Sequence, residues 1–154
     1  MTNDDEHAAL IDAEVVAGEL EALRVLKARY FRLMDLKQWD EWADVFTEDC
    51  WAQYFPDDAK RIVGRDRIVR GVSKTMRDVV SVHQGFMPEL TLTSATTATG
   101  IWAMTDYVTS PPGSSFPSIR GYGHYHETYR KEADGLWRIS SLLLTRIRVD
   151  PITD

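Results

Sequence analysis

The sequence predicts an α+β fold, in which N-terminal helices pack in the concave side of a curved antiparallel or mixed sheet that forms a cone. Apolar residues recur every three or four positions as far as Met76, and the remainder of the chain is rich in Val, Ile, Thr, Tyr and Trp. Helices first and strands afterwards indicate α+β rather than alternating βαβ units. Strands of about ten residues twist and curl, so the sheet should bend into a cone that encloses a pocket.

The first half of the chain predicts three helices and one short strand. The first helix should run from about Asp12 to Leu36, with charged residues such as Lys27 on its exposed faces. A second, shorter helix covers Trp39–Phe46, where the apolar spacing repeats. A strand over Cys50–Phe55 should end at Pro56-Asp57-Asp58, and Gly64-Arg65-Asp66 opens the third helix.

The second half predicts five strands connected by turns. Ala133-Asp134-Gly135 is typical of a tight hairpin turn between the last two strands. The longer segment Thr109–Pro117, with its Ser, Pro and Gly residues, is the best candidate for a flexible lid. The predicted strands are Val79–His83, Glu89–Thr93, Thr97–Tyr107, Ile119–Lys131 and Leu136–Val149.

Composition and charge limit the possible classes of function. With 154 residues, the chain should form a single domain over residues 10–150, with a flexible acidic lead at 1–9 and a tail at 151–154. The net charge of −6 argues against nucleic acid as a partner, because phosphate binding needs a basic surface. No apolar run approaches the roughly 20 residues of a membrane helix, and the acidic start is unlike a signal peptide, so we expect a cytoplasmic protein.

His83 is the residue best suited to acid–base chemistry. It ends the apolar run Val79–Val82 and precedes the turn-prone residues Gln84–Pro88, at a strand end where a pocket mouth can form. An imidazole can take and give a proton near neutral pH. As a general base, His83 would need a carboxylate to orient one ring nitrogen, and both Asp35 and Asp106 are candidates.

Other side chains can complete a pocket around His83. Tyr30 and Tyr54 offer phenol groups, and Arg146 can anchor a substrate carboxylate or an oxyanion. A regular helix would place Asp35 about 140° from Tyr30, so both reach one pocket only if they flank its mouth or if the helix loosens near Leu36-Lys37. The expected pocket wall also includes Trp102, Met104, Phe86 and Met87, with His124 as a second proton carrier.

The sequence predicts no metal and no cofactor. His124 and His126 form a His-x-His pair, a spacing that can chelate a metal ion, but Arg130 and Lys131 occupy the positions where a cupin-type site would need glutamate. The sequence contains no P-loop, no dinucleotide-binding glycine fingerprint and no Ser-His-Asp elbow. Cys50, the one cysteine, cannot form an internal disulfide.

Several segments together resemble a known family over roughly residues 15 to 150. They are Ala28–Asp35 followed by Trp39–Trp42 and Phe46–Asp49, then Gly64–Ile68, and finally His124–Tyr129 with Asp134–Ile139. In this order they resemble the SnoaL-like group of the nuclear-transport-factor-type cone fold. This scaffold carries dehydratases, isomerases, cyclases and non-enzymes, so the likeness is more specific for fold than for reaction.

Within that group, one set of residues looks most like the bile-acid 7α-dehydratases and, more distantly, scytalone dehydratase and hexachlorocyclohexane dehydrochlorinase. In those enzymes a His–Asp dyad removes a proton while a leaving group departs, without metal or cofactor, so the resemblance implies a lyase. The residues that carry it are Tyr30, Asp35, Tyr54, His83, Asp106 and Arg146.

We therefore expect a dehydratase-like lyase in which His83 abstracts a proton and water leaves, while Tyr30 and Asp106 assist departure or stabilise an enolate. The substrate should be a small hydrophobic molecule, ring-bearing or steroid-like. Two alternatives remain: an isomerase or polyketide-type cyclase using the same pocket, and a non-catalytic ligand-binding module, for which these side chains should be scattered. We also expect a homodimer or homotrimer formed through the outer face of the sheet, where Ile139 and Leu142–Leu144 should lie.

Overall fold

The computed structural model of the chain describes residues 3–55 and 61–152, and it confirms the α+β class. Residues 1–2, the expected strand end at Pro56-Asp57-Asp58 and residues 153–154 lie outside the described part. Within it the chain forms three helices and six strands. These are α1 (Asn3–Asp35), α2 (Trp39–Ala43), β1 (Phe46–Gln53), β2 (Ile62–Val63), α3 (Arg65–Met76), β3 (Val80–Leu92), β4 (Thr97–Thr109), β5 (Ile119–Lys131) and β6 (Trp137–Pro151).

The six strands form one curved, mixed sheet in the order β2-β1-β6-β5-β4-β3. Every neighbouring pair is antiparallel except β1 and β6, which are parallel. Along β4, residues alternate between buried and more exposed positions, with Trp102, Met104 and Asp106 on the buried face. That face meets the apolar side of α1, including Leu23, Leu26 and Tyr30, and together they form the main core.

β3 is one strand rather than the two that the sequence predicts. Its pairing with β4 shifts between Phe86 and Glu89, where two residues of β3 oppose a single residue of β4. Met87 has a φ of 35° at this point, so the turn-prone residues form a β-bulge inside a continuous strand. Pro88 is tolerated there because β3 is an edge strand and its missing N–H costs no internal hydrogen bond.

Both ends of α1 differ from the prediction. The helix begins at Asn3 instead of near Asp12; the flexibility expected for residues 1–9 stays a prediction, as do the domain boundaries. At its other end, the N–H of Gln38 donates to the carbonyl of Leu33 and that of Lys37 donates to the carbonyl of Met34. This is a Schellman motif, with Lys37 at a φ of 60° in the position that usually holds glycine.

The structure also corrects one strand boundary and two sets of residues that the sequence places on the surface. β1 begins at Phe46 rather than Cys50, because Phe46 pairs with Ile139 of β6. Lys27 is fully buried rather than exposed. The expected apolar cluster on the outer face of the sheet is also wrong, since Ile139, Leu142 and Leu144 are buried in the core.

The outer face of the sheet carries other exposed apolar side chains. Val82, Phe86, Ile101 and Tyr107 lie on β3 and β4 and are 36% exposed or more. They occupy alternate positions opposite the core-facing residues of the same strands. Among the described helices, none is both long and apolar enough to cross a membrane.

Candidate active site

A cavity of about 220 Å³ opens between the inner face of the sheet, α1 and α3. Its wall is mainly apolar: Val72 and Met76 come from α3, Leu144 comes from β6, and Phe116 and Ile119 come from the end of the expected lid segment and the start of β5. The polar side chains in the wall are Tyr30, Tyr54, Thr75, His83, Asp106, Tyr125 and Arg146. Five residues of the predicted site therefore lie in this wall, namely Tyr30, Tyr54, His83, Asp106 and Arg146.

His83 and Asp35 form a hydrogen-bonded pair at the cavity. His83 Nδ1 lies 2.6 Å from Asp35 Oδ1, and the backbone N–H of His83 donates to Asp35 Oδ2 at 2.8 Å. Phe31 stacks parallel to the imidazole with 6.4 Å between ring centroids. A carboxylate anion only accepts hydrogen bonds, so with Asp35 in that form Nδ1 carries the proton and Nε2 is left as the acceptor.

The local folding of α1 explains how Asp35 reaches His83. Asp35 is the last residue of the helix, directly before the turn at Leu36-Lys37. Tyr30 lines the cavity, whereas Asp35 approaches His83 from outside the cavity wall and does not line it. Tyr30 and Asp35 therefore approach the site from different sides, as expected for two helix positions about 140° apart.

Asp106 contacts Arg146 rather than His83. The Cα atoms of Asp106 and His83 are partners across β3 and β4, so both side chains occupy the same face of the sheet. The Asp106 carboxylate nevertheless binds the guanidinium of Arg146 through two hydrogen bonds of 2.7 and 2.9 Å. Of the two candidates, Asp35 is the carboxylate that contacts the histidine. The positive charge of Arg146 is compensated by Asp106, so it does not stand free for a substrate carboxylate.

Two buried phenol groups face the cavity without a hydrogen-bond acceptor among the described residues. The hydroxyls of Tyr30 and Tyr54 are close enough to influence each other's pKa, but they do not reach hydrogen-bond geometry. Burial is the main reason why the pKa of Tyr30 and that of Tyr54 both lie above the ordinary range. Both groups therefore stay protonated and can donate a hydrogen bond to a ligand oxygen.

Five residues that the sequence assigned to the pocket lie elsewhere. Trp102 is in the core, where its Nε1 donates to the Tyr129 hydroxyl at 2.7 Å, and Met104 is buried behind Arg146. The alternation of β3 turns Phe86 away from the cavity, and the bulge leaves Met87 92% exposed. His124 points away from the cavity because its neighbour Tyr125 points in.

Sequence reasoning missed several residues that build the site. Val72 and Met76 are four residues apart on α3, and this spacing of apolar residues on one helix face was the available signal. Phe116 is the one large apolar residue in a polar loop, a second signal. Ser81 contacts Asp35, and its position two residues before His83 puts it on the same face of β3.

No metal centre is formed by the residues that the structure describes: nowhere among them do three or more His, Cys, Asp or Glu side chains converge as ligands. The rings of His124 and His126 are 6.3 Å apart on the outer face, and His126 Nε2 lies 3.1 Å from the Thr145 hydroxyl. His126 therefore has a hydrogen-bond partner in the sheet, and no third metal ligand stands beside the two histidines among the described residues.

Comparison with known proteins gives one matching family model and several solved structures that share the fold. Residues 17–142 match the model of the SnoaL-like domain. A candidate scytalone dehydratase from Novosphingobium aromaticivorans DSM 12444 is similar over 92% of this chain and 93% of that chain, with 21% identity and a TM-score of 0.77. The hexachlorocyclohexane dehydrochlorinase LinA-type3 from Novosphingobium barchaimii LL02 is similar over 92% and 94%, with 19% identity and a TM-score of 0.77.

A third similar structure has no known function. It is a protein from Mycobacterium tuberculosis with 25% identity and a TM-score of 0.73, similar over 90% of this chain and 76% of that chain. At identities of this order, the shared geometry establishes the cone fold.

Proposed function

This chain belongs to the SnoaL-like domain family, and we propose that it is a cofactor-independent lyase of the dehydratase type. The observation that carries the proposal is the 2.6 Å contact between His83 and Asp35 at the wall of an apolar cavity. A histidine whose Nδ1 is held by a carboxylate presents Nε2 as a base. The names of the two enzymes of similar fold, a dehydratase and a dehydrochlorinase, also denote eliminations.

In the proposed reaction, His83 Nε2 takes a proton from a carbon next to a substrate carbonyl. The electron pair of that C–H bond is delocalised onto the carbonyl oxygen as an enolate, and it forms the new carbon–carbon double bond when the bond to the leaving hydroxyl breaks. The imidazolium of His83 then returns its proton to the departing oxygen, so that water leaves and the neutral histidine is restored. Asp35 stabilises the imidazolium between these two proton transfers.

Tyr30 and Tyr54 fit the role of hydrogen-bond donors in this reaction. Because burial raises the pKa of each phenol, a full proton transfer from either one is unfavourable. A hydrogen bond donated to the substrate carbonyl does not require the phenol to lose its proton, and this bond strengthens as the carbonyl oxygen becomes an enolate. Their unpartnered hydroxyls would then gain the acceptor that the described residues do not provide.

The cavity favours a neutral, hydrophobic substrate. Its charged wall residues Asp106 and Arg146 neutralise each other, and the rest of the wall is aliphatic or aromatic apart from hydroxyls and His83. A substrate carboxylate would have to displace Asp106 from Arg146 and leave that acid buried without its partner, which is costly. We therefore propose a small, ring-bearing molecule that carries a ketone and a hydroxyl group.

The test uses a panel of cyclic and steroid-like β-hydroxy ketones, with products analysed by mass spectrometry. We expect loss of one water from at least one compound, and we expect His83→Ala to lower kcat/KM by about 10²–10⁴-fold because the base is gone. Asp35→Asn should also lower the rate, since the amide cannot stabilise the imidazolium. The control, Arg24→Met in an exposed ion pair on α1, should leave the rate unchanged.

Each contrary result points to a definite alternative. Full activity of His83→Ala would overturn the assignment of the base. A product of unchanged mass would favour an isomerase or a polyketide-type cyclase, in which the same phenols would stabilise the enolate. The contact of Asp35 with a histidine that lines the cavity supports catalysis over a non-catalytic ligand-binding module. Saturable binding without turnover would favour the binding module instead.

We also propose that the chain forms a homodimer or homotrimer through the outer face of its sheet. The exposed side chains of Val82, Phe86, Ile101 and Tyr107 support this, because they place apolar surface on neighbouring strands. A cytoplasmic location stays a prediction from the sequence.

A further inference from the structure

A second layer of polar side chains supports the His83–Asp35 pair from behind. Ser81 Oγ donates a hydrogen bond to Asp35 Oδ1 at 2.8 Å, and Lys37 Nζ donates to Ser81 Oγ at 3.0 Å. Asp35 Oδ1 is the same oxygen that lies 2.6 Å from His83 Nδ1. An unbroken chain of hydrogen bonds therefore connects a lysine ammonium to the imidazole that lines the cavity.

The fold places both supporting residues there by specific means. Ser81 lies two residues before His83 on β3, so its side chain shares the inner face of that strand, and it is 5% exposed. Lys37 adopts the left-handed backbone conformation with a φ of 60°, where glycine would be favoured.

We propose that Ser81 and Lys37 are positioning residues for the His83–Asp35 pair: Ser81 fixes the orientation of the carboxylate, and the ammonium of Lys37 offsets the effect of the Asp35 charge on His83. The consequence for catalysis rests on the proposed lyase function. The effect on His83 itself does not, because it can be measured without turnover.

The charges around His83 determine the direction of the effect. Asp35 and Lys37 come from the end of α1, while Asp106 on β4 and Arg146 on β6 neutralise each other. Burial lowers the pKa of Lys37, and the negative charge of Asp35 opposes that lowering, so the two groups interact electrostatically. Without the ammonium, Asp35 would stabilise the imidazolium more strongly, and His83 would hold its proton to a higher pH.

This balance matters for a general base. A histidine that binds its proton too tightly is already protonated at neutral pH and cannot accept another. A histidine with no carboxylate beside it would lose both its orientation and the stabilisation of its protonated form. Lys37 weakens the stabilisation of the protonated histidine by Asp35 but leaves the orientation of the imidazole intact, because Ser81 separates the ammonium from the carboxylate.

The experiment follows the imidazole of His83 by NMR in protein labelled with ¹⁵N-histidine, with His83→Gln used to assign its signals. We expect Lys37→Met to raise the pKa of His83 by roughly half a unit to one unit, which is the size expected for removing one nearby, partly screened charge. Lys37→Arg should restore the wild-type titration. The matched control, Lys74→Met, removes an exposed lysine from the last turn of α3 and should shift nothing.

Ser81→Ala tests the orientation rather than the charge. The ¹⁵N shifts of the two ring nitrogens should then indicate a mixture of tautomers, because the Asp35 carboxylate can rotate. If Lys37→Met does not fold, Lys37→Gly removes the same charge and keeps the left-handed backbone. A His83 titration identical in wild type, Lys37→Met and Lys74→Met, or in wild type and Lys37→Gly, would overturn the proposal.

Activity on a confirmed substrate provides a separate readout. The acid limb of the kcat/KM profile of Lys37→Met should move to higher pH by the same amount as the NMR titration, with activity recovering above it. A shifted NMR titration in a protein with no lyase activity would support the positioning role and overturn the proposed function. An active lyase whose His83 titration ignores Lys37 would overturn the positioning role alone.

Discussion

Gly121 shows that the Asp106–Arg146 ion pair depends on the lack of a side chain on the neighbouring strand. A Cβ atom at position 121 would lie 2.1 Å from Arg146 Nη1 and 2.2 Å from Asp106 Oδ1. Both distances are far below van der Waals contact, so any residue other than glycine would displace one or both partners. The requirement for glycine comes from space, not from backbone conformation, because Gly121 lies within a regular part of β5.

We therefore expect Gly121→Ala to lower the free energy of unfolding by about 3–5 kcal/mol, the cost of breaking a buried charge pair. Asp106, which is 2% exposed, would lose its partner. Urea unfolding at neutral pH measures this. In the control, Gly18→Ala, the added Cβ meets no atom within 4 Å, and alanine should stabilise the helix by up to about 1 kcal/mol. Equal stabilities for Gly121→Ala and wild type would contradict the steric argument.

At the level of single residues, the sequence identified part of the cavity wall but not the contacts between its side chains. His83 and Tyr30 could be found because a histidine at a strand end and a tyrosine on an apolar helix face are visible in the pattern. The choice between Asp35 and Asp106 depends on the Schellman turn after α1 and on the pairing of Asp106 with Arg146. Neither the turn nor the ion pair produces a periodic pattern of residues that can be recognised in the sequence.

Among the elements, α1 contains the most unusual packing, because its apolar side buries a lysine. Lys27 Nζ lies 2.5 Å from Glu127 Oε1 of β5, and its ammonium is 3.7 Å from the ring centroid of Tyr125 and 4.1 Å from that of Tyr30. Glu127 also accepts a hydrogen bond of 2.5 Å from Tyr129. The sequence could not reveal this, because a lysine beside an apolar stripe usually marks the edge of the exposed face.

Removing one partner of this pair should be far more damaging than removing both. Lys27→Met should lower the free energy of unfolding by about 3–5 kcal/mol, since Glu127 is left buried without a cation, whereas Lys27→Met with Glu127→Gln should stay within about 1 kcal/mol of wild type. Arg24→Met, which removes the partner of Glu21 in an exposed pair, is the control and should cost less than about 0.5 kcal/mol. Urea unfolding of all four proteins tests the order, and equal losses in the single and double variants would refute it.

The same pair predicts how stability depends on pH. Burial lowers the pKa of Lys27 to about 8, from 10.5 when it is unperturbed, and the attraction of Glu127 only partly opposes this. Between these two values the unfolded chain binds more protons at this residue than the folded chain, so the free energy of unfolding should rise with pH. The double variant should lack this contribution, and the difference between the two stability curves from pH 8 to 10.5 isolates it.

Element boundaries were predictable where the period was regular and not where it broke. β5 has the predicted bounds, since its residues alternate without interruption along the inner face. β3 was divided in two because the bulge residues Met87-Pro88 resemble a turn in sequence. The run Leu142–Leu144 was assigned to the outer face because three consecutive apolar residues do not indicate which face is buried.

For the whole molecule, the class of fold was the most predictable property. Helical spacing followed by long β-rich segments is a signal summed over many residues, so errors at single positions hardly affect it. The outer surface was less predictable, because it depends on the register of every strand. Its apolar patch consists of Val82, Phe86, Ile101 and Tyr107.

The proposed self-association makes a prediction at this scale. We expect light scattering after size-exclusion chromatography to give two or three times the 17.6 kDa of one chain. Ile101→Glu should give the mass of one chain, because it places a charge within the apolar surface of the proposed interface. Val15→Glu, on the exposed side of α1, is the control and should keep the wild-type mass. A single-chain mass for wild type at tens of micromolar would refute an interface of standard size.

The hydrogen bond from the His83 backbone to Asp35 has a consequence for solubility. Among the described strands, β3 has β4 on one side and none on the other. A free row of backbone groups can recruit a strand from another chain and start aggregation. Asp35 Oδ2 accepts the N–H of His83. The Asp35 carboxylate thus occupies part of that free row with a charged group, and the bulge at Met87-Pro88 interrupts it further along the strand. We therefore expect the aspartate that contacts the proposed base to protect this edge of the sheet against aggregation as well.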